Sequence, residues 1–214
     1  MHHISKNKIL VLDETHIREN EAPTRTLVVP GQQPFVLATN TTRYAPKFDM
    51  IACISFNKPF TPFILSPEER KKQGVRGIGI AHIEQYIRET LGKEIKALRQ
   101  KGLVLLLDKA SCHGEARLRQ AFEAAGVQIA RFIYIPTQGA KRLSALDNAL
   151  FHDFKVRVQA QGPVTVENGR TNMLSAWSSI EPSLIQSHYR HAGLMVSCDP
   201  YADCPKPSEH GHST

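Results

Sequence analysis

The sequence predicts an α/β protein built on a mixed sheet with helices on both of its faces. Three observations carry that prediction. Short apolar runs read as buried strands. Segments with apolar residues every three or four positions alternate with them, as amphipathic helices do. The alternation runs strand, strand, strand, helix, strand, helix, strand, helix, which implies helices layered on a sheet. With 214 residues, 41% of them hydrophobic, the chain can bury a large core.

Residues 8–15 (Lys-Ile-Leu-Val-Leu-Asp-Glu-Thr) place Ile9 and Val11 on one face and Leu10 and Leu12 on the other, so this strand is covered on both sides. Residues 26–29 form the next expected strand, before the Pro30-Gly31 turn. Residues 48–56 follow as a strand, with 60–65 as a short hairpin partner. The charged, glycine-broken stretch 66–77 reads as a loop. Ile80, Ile83, Ile87, Leu91, Ile95 and Leu98 then recur at helical spacing, and Gly92 weakens that helix without ending it. Leu103 to Leu107 is an apolar strand ending in Asp108. Leu118, Ala121, Phe122 and Ala125 mark a helix over 115–125, with Gly126 as its C-cap. Residues 129–135 form the next strand, stopped by Pro136. The loop 137–142 leads to a helix over 145–159, and two more helices are expected near 172–180 and 182–192. The tail from Ser197, with Pro200, Pro205 and Pro207, is expected to be mobile.

Composition bounds the function. A formal charge of +7 permits a nucleic-acid partner without requiring one. No apolar run reaches the roughly 18 residues of a membrane helix, and the N-terminus has no hydrophobic signal region. Four scattered cysteines (Cys53, Cys112, Cys198, Cys204) are no disulfide scaffold and favour a reducing, intracellular setting. That setting is the nucleus if the source is eukaryotic and the cytoplasm otherwise.

Asp13 and Asp108 each end a buried apolar strand, where active sites of open α/β sheets gather. Side by side, two such carboxylates repel unless a hard divalent cation such as Mg²⁺ lies between them. Either acid alone could instead cap a turn or accept backbone N–H groups. Glu14, next to Asp13, points to the opposite face. Asp147 has the Ser144-x-x-Asp147 form of a capping box, and it can also turn toward the same metals from a helix's first turn.

Three blocks carry a family resemblance: Val11-Leu12-Asp13-Glu14-Thr15, then Leu105 through Asp108-Lys109-Ala110-Ser111-Cys112-His113, then Leu143-Ser144-Ala145-Leu146-Asp147 on to Lys155. Together they resemble the DDE/D catalytic domain of mariner-type transposases. The resemblance implies a ribonuclease H-like mixed sheet of about five strands, order βββαβαβα. It implies a catalytic domain over residues 1–165, with C-terminal helices over 166–196 packed on it and a flexible tail over 197–214. Trp177 and the run from His188 to Gly193 look like the family's C-terminal part.

The function so implied is cutting of double-stranded DNA at transposon ends and joining of 3′-hydroxyl ends to target DNA. Asp13, Asp108 and Asp147 would be the catalytic acids and the ligands of two Mg²⁺ ions, with Mn²⁺ as substitute. Lys109 stands where the family often has Asn, and Ala145 where it usually has Pro. Lys109 could bind the scissile phosphate or weaken metal affinity. Only twelve residues precede Asp13, too few for the helix-turn-helix modules that family members usually carry ahead of it, so the chain is expected to be the catalytic portion of a longer protein or to rely on partners. A homodimer, or a separate DNA-recognition domain or protein, would then supply end recognition. A domesticated DNA-binding or assembly protein that keeps the fold, and a non-transposing ribonuclease H-like nuclease, are the other readings.

Lys141 and Arg142, just ahead of Asp147, are expected to contact DNA backbone phosphates together with Lys109. Arg70, Lys71, Lys72 and Arg76 are as readily a solvated loop as a DNA surface. His113 is expected to be a satisfied structural histidine. His188, His191, Cys198 and Cys204 have ligand chemistry for zinc, but not the spacing of a standard finger, and no zinc is expected.

Overall fold

The computed structural model describes residues 4–19, 45–136 and 139–194. The strand expected at 26–29 and the tail from residue 197 lie outside the described residues. Strand β1 (Ile9–Arg18) is the middle of the sheet. It runs antiparallel to β2 (Lys47–Ser55) and parallel to β5 (Leu103–Asp108), which in turn pairs parallel with β6 (Ile129–Ile135). Two short strands, β3 (Lys58–Pro59) and β4 (Phe63–Leu65), add to β2, giving six strands in the order β3-β2-β1-β5-β6 with β4 off the path. The sheet is mixed, as expected from the sequence.

Each face of β1 carries its own core. Leu10 and Leu12 pack with α2 (Ile80–Tyr86), α3 (Gly92–Ala97) and α4 (Glu115–Ala124) through Ile83, Tyr86, Ile95, Leu118 and Phe122. Ile9 and Val11 pack on the other side with α6 (Phe151–Gln159), α7 (Gly169–Ser178) and α8 (Pro182–His191) through Phe154, Trp177, Ile185 and Tyr189. Burying Trp177 and Tyr189 requires partners for their polar tips. Trp177 donates its indole N–H to the Phe60 carbonyl (2.8 Å), and the Tyr189 hydroxyl reaches the carbonyls of Ile9 (3.0 Å) and Ile54 (3.2 Å). The C-terminal helices are thereby fastened to the sheet itself. Among the described residues no helix is long and apolar enough to cross a membrane.

Three local readings are corrected. The stretch expected as a loop at 66–77 contains α1 (Pro67–Gln73). Ser66 accepts from the Glu69 N–H (3.2 Å), and the Glu69 carboxylate accepts from the Ser66 N–H (2.8 Å). This reciprocal cap, with proline at the first helical position, outweighs the charge density that suggested a loop. Arg70 serves the fold: it lies 3.6 Å from the buried Asp49 of β2 and reaches the Lys47 carbonyl. The second loop, at 137–142, includes the helical turn α5 (Ala140–Leu143).

The long helix at 80–98 is continuous but widens into a π-helical turn at Ile87–Leu91, where the Gly92 N–H reaches back to Ile87. Gly92 is there for space. A Cβ at this position would sit 2.4 Å from Cβ of Ala125 and 2.7 Å from the Ile87 carbonyl oxygen. Gly92→Ala is therefore expected to destabilise the protein by about 1–3 kcal/mol through overpacking, against the roughly 1 kcal/mol that helix propensity alone would return. Urea unfolding checks this: the midpoint should fall at unchanged slope.

Candidate functional site

The parallel pairing of β1 and β5 sets the site. Ile9 lies opposite Val104, Leu10 opposite Leu105 and Val11 opposite Leu106. Carried two residues further, this register brings Asp13, midway along β1 rather than at the strand end expected from the sequence, level with Asp108 at the carboxyl end of β5. By the alternation of the pleat, Asp13 lies on the Val11 face and Asp108 on the Leu106 face, which are the same side of the sheet. That side is covered by a π-helical turn at Leu146–Leu150 and by α6 continuing from it. Leu146 and Leu150 anchor the turn in the core, while Asp147, between them, is exposed. Ser144 accepts the Asp147 N–H at 3.2 Å, so the capping interaction expected from the sequence is made by the backbone of the same residue.

The three acids are brought to one electrostatic neighbourhood. Asp13 is 6% exposed, and its carboxyl is pushed up to about 8. Burial is the main cause, followed by the negative charge of Asp147, then of Glu14, with a smaller share from Asp108. The N–H of Glu14 donates to Asp13 at 2.8 Å and offsets part of this. A buried carboxylate facing like charges is the state that a divalent cation relieves, and an all-oxygen donor set suits Mg²⁺ or Mn²⁺. Asp13, Asp108 and Asp147 thus share a field of the kind such an ion relieves, although their ligand atoms do not all lie within 4.8 Å of one another.

Asp108 is held from behind. Its carboxylate accepts the Ala110 N–H (3.2 Å) and lies 2.7 Å from His113 Nδ1, which also donates to the Asp108 carbonyl (3.0 Å). The other ring nitrogen of His113 lies 2.9 Å from Glu14 Oε1. The His113 ring is buried, and burial by itself lowers a histidine pKa. Here hydrogen bonds with Cys112 and Glu14, the charge of Glu14 and the Asp108 backbone outweigh it and raise the value to about 11. His113 is therefore an imidazolium bridging two acids that lie 99 positions apart (Glu14) and five apart (Asp108). The expectation of a satisfied structural histidine understated it. The Asp-x4-His spacing was the available signal, but the pairing with Glu14 was not legible. Ligand atoms of Glu14, Cys112 and His113 also lie within 4.8 Å of one another; with both ring nitrogens of His113 already engaged, this group reads as an ion-pair cluster.

Lys109 follows Asp108 directly and is exposed. Lys141 and Arg142 lie on α5, between the end of β6 and Asp147, with Arg142 exposed. His188 donates its Nε2–H to the Asp153 carboxylate of α6 at 2.9 Å; Cys198 and Cys204 lie outside the described residues.

No protein-family model and no curated protein matches the chain. Solved structures do. A Mos1 transposase paired-end complex with left transposon end superposes with a TM-score of 0.65 at 15% identity, over 87% of this chain and 52% of that one. The Mos1 mariner paired end complex with Mn gives 0.65 at 17% identity over 88% and 53%. The catalytic domain of Mos1 mariner transposase alone gives 0.56 at 13% over 88% and 78%. The chain thus spans about half the length of the transposase in the complexes. At such identities the likeness establishes the fold: the chain has the ribonuclease H-like architecture of the mariner transposase catalytic domain.

Because the folded, metal-free protein holds Asp13 at about 8 against an ordinary 3.8, it favours the protonated form. This contribution is fully present below about pH 4 and is lost as pH rises through 8. In chelator, Asp13→Asn is expected to melt roughly 3–6 °C above wild type at pH 8, a difference of about 1–2 kcal/mol, and the gap should shrink at pH 5. Thermal melts at the two pH values check it; equal gaps would remove Asp13 from the acid cluster.

Proposed function

We propose that the chain is the catalytic domain of a transposase-like enzyme that cuts DNA and joins 3′-hydroxyl ends to a second duplex with divalent metal ions. The observation that carries this reading is the convergence of Asp13, Asp108 and Asp147 on one side of a sheet whose fold is that of a DNA transposase domain. Asp13, Asp108 and Asp147 would hold two Mg²⁺ ions, with Mn²⁺ as substitute. Bound there, such a pair would activate water or a 3′-hydroxyl and would stabilise the leaving oxygen of an in-line displacement at phosphorus.

The chain's own residues do the rest. Asp13 and Asp108 are rigid because each ends a fully buried strand run, which fixes the position of their oxygens. His113 orients Asp108 and keeps Glu14 paired on the far side of β1, so that Glu14 does not compete as a ligand. Asp147 closes the site from the helix layer. Lys109, exposed beside Asp108, would meet the phosphate being cut. Lys141 and Arg142 on α5 would draw the DNA backbone toward the acids without reading its sequence. Double-stranded DNA is the proposed partner, with a second copy of the chain or a separate recognition domain selecting the transposon end.

The test is nicking and end joining on supercoiled and oligonucleotide duplexes. Wild type is expected to nick in Mg²⁺ or Mn²⁺ and not in EDTA. Asp108→Asn and Asp147→Asn are each expected to lower the rate by at least about 10³-fold, comparable to losing one preorganised electrostatic stabiliser, at unchanged circular dichroism. A rate within a few-fold of wild type for either variant would take that residue out of the site. Replacing Lys141 and Arg142 with alanine is expected to weaken DNA binding equally across sequences. It should also lower the slope of log K against log salt by about 2, roughly 0.9 for each phosphate that is no longer neutralised. An unchanged slope removes these two residues from the interface.

A further inference from the structure

A second cationic feature lies at the other end of the sheet from the acids. Lys96, Arg99 and Lys101 stand around an open cavity of about 450 Å³ where α3 and α4 end and β5 begins. Gln100 and Gln128 complete its polar rim, and no acidic residue lines it. Lys8 borders it: a Cβ at Gly102 would lie 3.5 Å from the Lys8 Nζ. All four cations are exposed, and among the described residues none of them is held in an ion pair.

The structural explanation for such a cluster is compensation of helix ends, since the carbonyl termini of α3 and α4 both lie here. Each helix terminus counts for about half a negative charge. Two of them offset about one of the four cations, leaving an excess of roughly three. Arg99 adds an independent sign. Its φ is +53°, and it is the single non-glycine residue with positive φ among those described. A glycine would take that conformation without a Cβ penalty, so what Arg99 supplies in return is its charge.

We infer that this cavity is a second nucleic-acid contact, taking backbone phosphates of duplex DNA at a distance from the acids. It rests on the proposed DNA function for the identity of its partner. From Leu103 to Asp108 the chain climbs five strand residues, roughly 17 Å. That is about five steps of a DNA strand at 3.4 Å each. An open, acid-free concavity rimmed by lysine, arginine and amide side chains suits a backbone passing over it. Contacts of that kind hold and orient a duplex without selecting its sequence.

The experiment measures binding of a 30-base-pair duplex by fluorescence anisotropy from 50 to 200 mM salt. Wild type is compared with the triple variant Lys96→Gln, Arg99→Gln, Lys101→Gln. A control removes the same number of charges from Lys71, Lys72 and Arg76. The triple variant is expected to lower the salt slope by about 2–3, and affinity at 100 mM by at least about 10-fold, with the control showing less than a third of that slope change. Arg99→Gly separates binding from folding: it should melt no lower than wild type and still lower the slope by about 1. Equal losses in variant and control, an unchanged slope, or no duplex binding by wild type overturns the inference. Should the slope fall as expected while wild type never nicks DNA in Mg²⁺, the catalytic proposal fails and this contact stands. Nicking with an unchanged slope has the opposite meaning.

Discussion

The register between β1 and β5 is the constraint on which the site depends. Strand β1 is buried on both faces, so each of its apolar side chains already has a core to fill, and a slip of one residue would exchange the two cores. Such a slip would also send Asp13 to the α2–α4 side of the sheet and Glu14 to the side of Asp147. Packing of Leu10, Val11 and Leu12, which carry no chemistry, thus decides which acid belongs to the site. The same burial holds Asp13 where its charge is unfavourable.

His113 settles how many acids the site has. A buried charge is tolerated when it is paired and hydrogen-bonded on all sides, and removing one partner leaves the other stranded. The His113 ring meets that condition with Asp108 on one nitrogen and Glu14 on the other. Glu14 is consequently committed, though it neighbours Asp13 in sequence. Asp108 keeps its remaining oxygen for the front of the sheet. Under the proposed function, this bridge divides the four carboxylates into one structural and three functional.

Much of this was legible in the sequence, and the limits have physical causes. Strands at 9–12 and 103–107 announce themselves because burial on both faces requires unbroken apolar runs, and each run stops at its aspartate. The helix layers were legible from spacing. Helix α1 was not, because its stabilisation is local capping of Ser66 and Glu69 rather than an apolar stripe; none of its residues is buried. Nor was the reason for Gly92, which depends on Ala125 at the end of a different helix. The link from Glu14 to His113 spans 99 positions, and no periodicity reports a contact of that range. Asp147 was the hardest acid to assign, since a first-turn aspartate after serine looks the same whether it only caps or also faces the strand ends.

Charge distribution ties the two ends of the molecule together. The chain carries +7 overall, yet the middle of β1 and the carboxyl end of β5 gather negative charge strong enough to shift Asp13. A polyanion therefore meets repulsion at the acids and attraction elsewhere, and at physiological ionic strength exposed charges act over only about 8 Å. Roughly 17 Å separates the start of β5 from Asp108, about two screening lengths. Cations near α3 consequently cannot neutralise the acids. Under the proposed function neutralisation is local, by ions at the three carboxylates and by Lys109 beside them. Under the proposed function this separates grip from chemistry: DNA can be held without metal, while close approach of its backbone to Asp13, Asp108 and Asp147 waits for the negative charge there to be countered.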